Sequence, residues 1–305
     1  MKKINTVNII GLGALGMLYG KSLTDALGYE NVCFVMDSVR LDKYKDADFI
    51  CNGEKCDFHM ITPEEAKPVD LVIIAVKYPG LPEAIDIMKS SIGPDTIIMS
   101  VMNGISSEEI IAERYGKDNI IYTVAQGMDA VKFGGDLTFS QSGELHIGVP
   151  EGQDKACLEP VTDVLRRSSL DYVIEDDIMY RMWGKFMLNV GVNQTCMVYD
   201  TTYRGIIDEG EPNLIFISAM REVIAVANAE GINLSESDLN MYVDIIKTLN
   251  PDKMPSMAQD RINKKPGEVD AFSGILIKLA KKHDIHVPVN RFLNRRAKEI
   301  EKEYI

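Results

Sequence analysis

The stretch VNIIGLGALG, residues 7–16, decides the fold class of the N-terminal half of this 305-residue chain. Its first four residues predict a short buried strand, and apolar residues at helical spacing continue from the glycines to about Leu27. Residues 32–36, VCFVM, predict a second strand that ends at Asp37. Strand, glycine turn, helix and strand in this order begin a doubly wound α/β sheet of the Rossmann type.

The glycines of this stretch have the G-x-G-x-x-G spacing of a dinucleotide-binding turn. Such glycines let the backbone approach a pyrophosphate, and the amides at the helix start favour its negative charge. Glycines also occur in turns without a ligand, but these follow a strand, open a helix and precede an acidic strand end. We therefore predict a nucleotide site along the whole turn, at Gly11, Leu12, Gly13, Ala14, Leu15 and Gly16.

Two residues after the second predicted strand bear on the choice of cofactor. Asp37 lies where a carboxylate accepts hydrogen bonds from the adenosine ribose, and its charge would repel a 2′-phosphate. Arg40 lies just beyond and could instead hold that phosphate, and Asp37 could simply cap a turn. The sequence leaves NADP(H) and NAD(H) open, with Asp37 leaning toward NAD(H).

Polar residues also end two later strands. The runs DLVIIAVK and DTIIMSVMNG are typical of buried parallel strands, and they lead to Lys77 and Asn103. Ligands of open α/β sheets bind outside the carboxyl ends of the strands, so both side chains are predicted at the nicotinamide end of the cofactor. The plainer alternatives are an exposed strand end for Lys77 and a turn residue for Asn103.

Alternation of strand and helix ends near residue 175, which predicts a dinucleotide-binding domain over residues 1–175 and an all-helical substrate-binding domain over residues 176–305. Before this boundary, NIIYTVAQGM and LTFSQSGELHIGV predict further strands, the second a hairpin that turns near Ser142–Gly143. After it, the predicted helices are 178–198, 212–231, 235–248, 267–284 and 290–303. A ligand-binding cleft between the domains is expected.

Composition narrows the function classes. The formal net charge of −13 argues against binding to nucleic acid or to anionic membrane surfaces. No apolar run approaches the ~20 residues of a membrane span, and the N-terminus lacks the features of a signal peptide. Five scattered cysteines without a CxxC pair indicate reduced thiols in a cytoplasmic protein, and the four histidines form no metal-binding pattern.

The stretch RMWGKFMLNVGVN, residues 181–193, places polar side chains on an otherwise apolar helix. Lys185, Asn189 and Asn193 recur every four residues and therefore line one stripe. This stripe could be the solvent-exposed edge of the helix, or it could face a substrate in the expected cleft. Ser256 stands before a possible helix start and Glu268 is two residues into the predicted helix 267–284, positions where both residue types also stabilise helices.

Together these segments resemble the ketopantoate reductases (2-dehydropantoate 2-reductases) over nearly the whole chain. The resemblance rests on GLGALG, AVK, MNG, GELHIGVP, WGKFMLNVGVN, SMAQD and GEVDAFSG in that order. It implies reduction of 2-dehydropantoate to pantoate with NAD(P)H, a step of pantothenate biosynthesis. It also implies the roles of particular residues: Lys185 as general acid, Glu268 as its orienting partner, Asn103, Asn189, Asn193 and Ser256 as substrate ligands, and Lys77 between cofactor and substrate.

Three differences from the family pattern keep alternatives open. After Asn193 the chain reads QTCMVYD instead of a Pro-Leu-Thr-Ala-like run, and Tyr203 stands where members can have a substrate-binding asparagine. Asp37 replaces an arginine that binds the NADP 2′-phosphate in many members. The alternatives are a D-2-hydroxyacid dehydrogenase for other branched 2-keto acids and a non-catalytic dinucleotide-binding sensor. Apolar helical surfaces in the second domain are compatible with a homodimer.

Overall fold

Twelve strands lie among residues 3–304, the part of the chain that the computed structural model describes. In chain order they are β1 (Val7–Ile10), β2 (Val32–Val35), β3 (Phe49–Cys51), β4 (Glu54–Cys56), β5 (His59–Ile61), β6 (Leu71–Ile74), β7 (Ile97–Ser100), β8 (Ile120–Met128), β9 (Val131–Phe133), β10 (Asp136–Thr138), β11 (Ser142–Gly148) and β12 (Asp171–Ile174). One sheet has the order β12–β11–β8–β7–β6–β1–β2–β5, and a smaller one has the order β4–β3–β10–β9. All neighbours in the larger sheet are parallel except β8 and β11.

The same described part of the chain contains twelve α-helices. They are α1 (Ala14–Leu27), α2 (Ser38–Tyr44), α3 (Leu81–Ile87), α4 (Ser107–Tyr115), α5 (Leu158–Arg167), α6 (Ile178–Tyr199), α7 (Tyr203–Ile207), α8 (Glu211–Ala229), α9 (Glu236–Thr248), α10 (Ser256–Ile262), α11 (Ile275–Lys282) and α12 (Pro288–Glu301). A π-helical turn, Asp270–Gly274, directly precedes α11. None of these helices is both long and apolar enough to cross a membrane.

The chain divides into two compact units. The first contains the residues up to Asn103 together with Ser107–Ile178, and thus both sheets and the helices α1 to α5. The second contains Gly104–Ser106 and the residues from Met179 onward, which are helical. An α/β unit with a mainly parallel sheet and a helical unit confirm the predicted fold class.

The centre of the larger sheet explains where the candidate ligand-binding residues of the first unit lie. Every residue of β1, β6 and β7 is buried, as expected of apolar strands that are covered on both faces. These strands are parallel neighbours, so their carboxyl ends lie at one edge of the sheet. The glycine turn, Lys77 and Asn103 follow these three strand ends in the sequence.

The predicted hairpin with a turn near Ser142–Gly143 is wrong. Ser142–Gly148 is the continuous strand β11, antiparallel to β8, whereas Asp136–Thr138 belongs to the smaller sheet. A Cβ at Gly143 would stand 2.2 Å from the Gln126 carbonyl oxygen of β8. This glycine therefore permits a close approach of two strands, which the local sequence does not distinguish from a turn.

The helical unit is more divided than the sequence predicted. Helix α7 was not expected, and the predicted helix 267–284 is split between the π-helical turn and α11. Glu268 precedes the π-helical turn instead of lying inside a helix, and Ser256 is the first residue of α10, with Pro255 at the cap position. Apolar spacing predicts a buried face but does not separate α-helical from π-helical winding.

Candidate active site

The glycine turn joins β1 to α1 and leaves the start of that helix open to an anion. Gly13 occupies the cap position, and among the described residues no side chain caps this helix and no acid lies in its first turn. Gly11 has a φ of +115°, and a Cβ at Gly16 would stand 2.0 Å from the Gly11 carbonyl oxygen. Both positions therefore require glycine. The uncapped amides and the helix dipole favour a phosphate at this point.

Asp37 and Arg40 belong to one cluster of charges beside this turn. Asp37 caps α2, accepting from the Arg40 backbone N–H at 2.8 Å and from the Arg40 guanidinium at 2.8 Å. The Arg40 N–H, followed by the guanidinium charge, lowers the pKa of Asp37, which stays ionised. Asp37 does cap a turn, as the plainer alternative held. A carboxylate has about four lone-pair sites, so this role leaves capacity for a ribose.

Glu83 was not identified from the sequence and completes the cluster. Its carboxylate forms two hydrogen bonds to the Arg40 guanidinium, at 2.6 and 2.9 Å. Two carboxylates thus face a single guanidinium, and about half of the Arg40 side chain remains exposed. Glu83 lies 43 residues from Arg40 and has no local sequence signal, so only the folded chain shows the pairing.

Lys132 is a second residue that the sequence did not reveal. Its ammonium donates to the carbonyl oxygen of Leu12, inside the glycine turn, at 2.6 Å. It also stands over the Tyr44 ring, 5.6 Å from its centroid. Lys132 comes from β9 of the smaller sheet, 120 residues from Leu12, so this sheet contributes a positive charge to the glycine turn.

Lys77 and Asn103 lie in loops that follow neighbouring strands of the first unit. Lys77 is exposed and precedes the short turn Tyr78–Gly80, and Asn103 is half-buried after β7. Neither residue lies within a strand, because β6 ends at Ile74 and β7 at Ser100. Their side chains are therefore presented by loops at the carboxyl edge of the sheet, the usual position of ligand-binding groups.

In the second unit, α6 carries the polar stripe that the sequence predicted. The opposite positions, among them Trp183, Phe186 and Met187, are almost fully buried. Lys185 and Asn189 are partly exposed, whereas Asn193 is only 6% exposed. The Asn193 side-chain amide donates to the Asn189 side-chain oxygen at 3.4 Å, a contact expected between residues one turn apart. The stripe is therefore not a plain solvent edge, since its C-terminal end is buried.

Ser256 joins this stripe from a distant part of the sequence. Its hydroxyl donates to the Asn193 side-chain oxygen at 3.0 Å, and the Met257 backbone N–H donates to the same oxygen at 3.3 Å. Asn193 thereby fixes the start of α10 against α6. The predicted Asn189, Asn193 and Ser256 are brought together, although Asn193 uses its oxygen within the protein.

Lys185 and Glu268 are also brought together, and their charges act on each other. Burial lowers the pKa of Lys185 to about 8, against the opposing effect of the Glu268 carboxylate. Glu268 is only 7% exposed, so little water screens this interaction. Arg181, one turn before Lys185 on the same stripe, lowers the pKa further. Arg181 was missed from the sequence, although its spacing of four residues from Lys185 could have identified it.

This part of the second unit can therefore do acid–base chemistry. An ammonium with a lowered pKa is a stronger acid than lysine in water, yet it remains mostly protonated at neutral pH. The neighbouring hydroxyl and amides are neutral hydrogen-bonding groups that can hold a polar molecule without a net charge. Among residues 3–304, no cluster of three or more His, Cys, Asp or Glu side chains is arranged to hold a metal ion.

Two family models match almost the whole chain. The model described as "Ketopantoate reductase PanE/ApbA" matches residues 7–152, and that described as "Ketopantoate reductase PanE/ApbA C terminal" matches residues 177–301. A 2-dehydropantoate 2-reductase of Streptococcus pyogenes serotype M6 is 24% identical over 294 residues, which cover 94% of this chain and 95% of the relative.

Solved structures share the fold of the chain at low sequence identity. D-mandelate dehydrogenase with NADH and anilino(oxo)acetate has a TM-score of 0.86 and 23% identity, covering 98% of this chain and 99% of that one. A dimeric ketopantoate reductase from Staphylococcus aureus has a TM-score of 0.83 and 23% identity, covering 98% and 100%. One fold thus serves enzymes named for different substrates, a 2-hydroxy acid in one case and a 2-keto acid in the other.

Proposed function

We propose, from the premise that this chain belongs to the ketopantoate reductase family of NAD(P)-dependent oxidoreductases, that it reduces 2-dehydropantoate to pantoate. The observation that carries the proposal is the environment of Lys185. This lysine combines a lowered pKa, a neighbouring carboxylate from Glu268, and a stripe of hydrogen-bonding groups on the same helix. Such a combination is what a proton donor to a carbonyl oxygen requires.

Lys185 acts as the general acid in this proposal. When bound, the reduced cofactor supplies the hydride that converts the keto carbon into a secondary alcohol. Negative charge then grows on the carbonyl oxygen, and the Lys185 ammonium stabilises it and delivers the proton. The amine left on Lys185 is reprotonated from water. Glu268 limits the fall in the Lys185 pKa and keeps the ammonium predominant at neutral pH.

Neutral groups bind the substrate beside the acid. Asn189 and Ser256 are partly accessible and supply an amide and a hydroxyl, while the more buried Asn193 holds both of them in place. These groups suit the hydroxyl and carboxylate of 2-dehydropantoate, because they donate hydrogen bonds without a charge that would alter Lys185. Asn103 is proposed as a further substrate ligand and Lys77 as a cofactor ligand of the first unit.

We propose NADH as the preferred cofactor. Asp37 is ionised and already faces a guanidinium that Glu83 also binds, so a 2′-phosphate would add negative charge beside two carboxylates. A ribose bears hydroxyl groups there and meets no such repulsion. The D-mandelate dehydrogenase structures were solved with NADH.

A second substrate class is supported by one feature of the chain. Tyr203, at the start of α7, stands where family members can have a substrate-binding asparagine, and its partial burial raises its pKa to about 12. An aromatic ring in place of an amide would favour a less polar 2-keto acid. The likeness in fold to D-mandelate dehydrogenase makes phenylglyoxylate and branched 2-keto acids the natural comparison.

A substrate panel tests the proposal. The rate of NADH and NADPH oxidation is measured with 2-dehydropantoate, 2-ketoisovalerate, 2-ketoisocaproate and phenylglyoxylate. We expect the highest kcat/KM with 2-dehydropantoate and NADH. If another acid gives a higher kcat/KM, that acid becomes the proposed substrate. The absence of turnover with every acid would contradict the proposed reaction.

The oligomeric state of the protein is a separate prediction. We expect a homodimer, as in the Staphylococcus aureus relative that is described as dimeric. Light scattering coupled to size-exclusion chromatography measures the molar mass. A mass of 34.0 kDa at assay concentration, which is that of one chain, would contradict the dimer.

A further inference from the structure

Gln194 follows the last residue of the polar stripe, at the point where the sequence departs from the family's Pro-Leu-Thr-Ala-like run. Its side chain is fully buried, as is that of Thr195. A buried amide without partners would be costly, so its hydrogen bonds identify its purpose. These bonds lead away from solvent and toward the segment that follows Glu268.

The π-helical turn after Glu268 has an irregular hydrogen-bond pattern. Its widened winding pairs the Gly274 N–H with the Val269 carbonyl oxygen, at 3.0 Å, and the Ile275 N–H with that of Asp270. The Phe272 N–H still bonds in the α-helical manner, to the Glu268 carbonyl oxygen at 3.1 Å. The change of winding falls between these bonds, at Ser273.

Gln194 supplies a side-chain acceptor at this point of the turn. Its side-chain oxygen accepts from the Ser273 N–H at 3.3 Å, and its amide nitrogen donates to the Val190 carbonyl oxygen at 2.8 Å. Ser273 is also fully buried, so no water replaces this acceptor. The Gln194 amide therefore links α6, which carries Lys185, to the turn that begins two residues after Glu268.

Aromatic packing supports the same link. Phe186, next to Lys185, and Phe272 of the π-helical turn have ring centroids 6.5 Å apart, and both rings are almost fully buried. Ring packing alone permits sliding, whereas a pair of directional hydrogen bonds fixes the register of the two segments. Gln194 supplies this directional part.

We propose that Gln194 is a positioning residue that stabilises the π-helical turn and thereby holds the Glu268 carboxylate against Lys185. This inference rests on the proposed function, since it assigns Gln194 to the general-acid pair. The departure from the family pattern then has a role inside the protein, because the Gln194 side chain is buried there. In this role Gln194 affects the acidity of Lys185 and not the choice of substrate.

Loss of the Gln194 amide should therefore weaken the effect of Glu268 on Lys185. Glu268 raises the pKa of Lys185 against the effect of burial, so a displaced carboxylate lets that pKa fall. The acid is then lost at a lower pH. Cofactor binding, which depends on residues of the first unit, should not change.

The experiment compares three variants with the wild type. Gln194→Met has similar volume and removes both hydrogen bonds, Gln194→Asn shortens the amide, and Gln194→Glu keeps an acceptor for Ser273. Asn213→Leu is the control, since it removes another amide bond in the same unit, to the Ile206 carbonyl oxygen at 2.7 Å. The readouts are the pH dependence of kcat, NADH binding, and an NMR titration of isotope-labelled lysines with Lys185 assigned through Lys185→Arg.

We expect Gln194→Met to reduce kcat about tenfold, a part of the ~10²–10⁴-fold that a positioned acid contributes. It should move the basic limb of kcat and the Lys185 titration to lower pH, with NADH binding unchanged. Gln194→Asn should move both in the same direction by less, and Gln194→Glu should keep more activity than Gln194→Met. Asn213→Leu should lower the melting temperature without moving either titration.

The two proposals fail in different ways. If the wild type reduces 2-keto acids and Gln194→Met leaves the Lys185 titration in place, the role of Gln194 is refuted and the reaction stands. If Gln194→Met is too unstable to purify, an unmoved titration in Gln194→Asn overturns the role equally. If the wild type reduces no 2-keto acid, the reaction fails, while the NMR titration still tests the link from Gln194 to Lys185.

Discussion

Arg40 in the first unit and Lys185 in the second are both cations beside carboxylates, yet their surroundings differ. Arg40 is about half exposed and faces two carboxylates, one of which binds it through two hydrogen bonds. Lys185 has its pKa lowered by burial, with the Glu268 carboxylate opposing this and the Arg181 guanidinium adding to it. An exposed cluster fixes charges without making them reactive, whereas burial with one counter-charge prepares a group to release its proton.

The largest effect should come from removing the Lys185 cation. Lys185→Ala is expected to reduce kcat about 10²–10⁴-fold, because the proton donor is lost. NADH binding, followed by fluorescence titration, should be retained, and Lys281→Ala, an exposed lysine of the same unit, should leave kcat unchanged. More than about a tenth of wild-type turnover in Lys185→Ala would be incompatible with a general acid, whereas a sensor that only binds the cofactor would show no turnover even in the wild type.

The second-largest effect should come from the glycine turn of the first unit, which precedes the Asp37 and Arg40 cluster in the sequence. Gly16→Ala places a Cβ 2.0 Å from the Gly11 carbonyl oxygen, so the turn must open. NADH affinity should fall about tenfold, equivalent to ~1.4 kcal/mol, with a smaller change in kcat at saturating NADH. Unchanged affinity in a variant with an unchanged melting temperature would remove the turn from the cofactor site.

Removal of the Glu268 charge and removal of the Arg181 charge should shift the pH dependence of kcat in opposite directions. Glu268→Gln removes the charge that raises the Lys185 pKa, so kcat should decline at lower pH than in the wild type. Arg181→Met removes a charge that lowers this pKa, so kcat should persist to higher pH. The measurement is kcat against pH at saturating substrate. Shifts in the same direction would show that the charges do not act on the acid.

The smallest effect should come from the exposed cluster. Glu83→Gln loosens Arg40, and the ratio of kcat/KM for NADPH to that for NADH should rise a few-fold, because exposed ion pairs contribute little. Asp37→Ala should raise this ratio more, since it removes the carboxylate that we propose binds the ribose. The control is Asp42→Asn, because Asp42 lies in helix α2, as Arg40 does, and pairs with Lys45. An unchanged ratio in Asp37→Ala would exclude Asp37 from the cofactor site.

The sequence predicted those parts whose signal is local. The glycine turn, the buried strands and the stripe of Lys185, Asn189 and Asn193 each lie within one short segment, where periodicity and spacing reveal them. The π-helical turn left the hydrophobic pattern of its segment intact, so the sequence predicted an ordinary helix there. The hairpin turn predicted near Ser142–Gly143 was wrong for a related reason, since a close approach of strands and a turn both require glycine.

The remaining parts depend on residues far apart in the chain. Glu83 binds Arg40 across 43 positions, Lys132 reaches Leu12 across 120, and Gln194 meets Ser273 across 79. None of these side chains differs in type or spacing from an ordinary surface or core residue. Their roles follow from tertiary packing, which a single sequence does not specify residue by residue.

The pH dependence of kcat in the wild-type protein tests the account most directly. Turnover is measured at saturating 2-keto acid and NADH, with deuterated NADH used to verify that hydride transfer limits the rate. Because Lys185 must be protonated to act, kcat should be constant at low pH and decline as the pH rises through about 8. A kcat that stays constant until about pH 10.4, the value of an unperturbed lysine, would contradict the buried Lys185 as the proton donor.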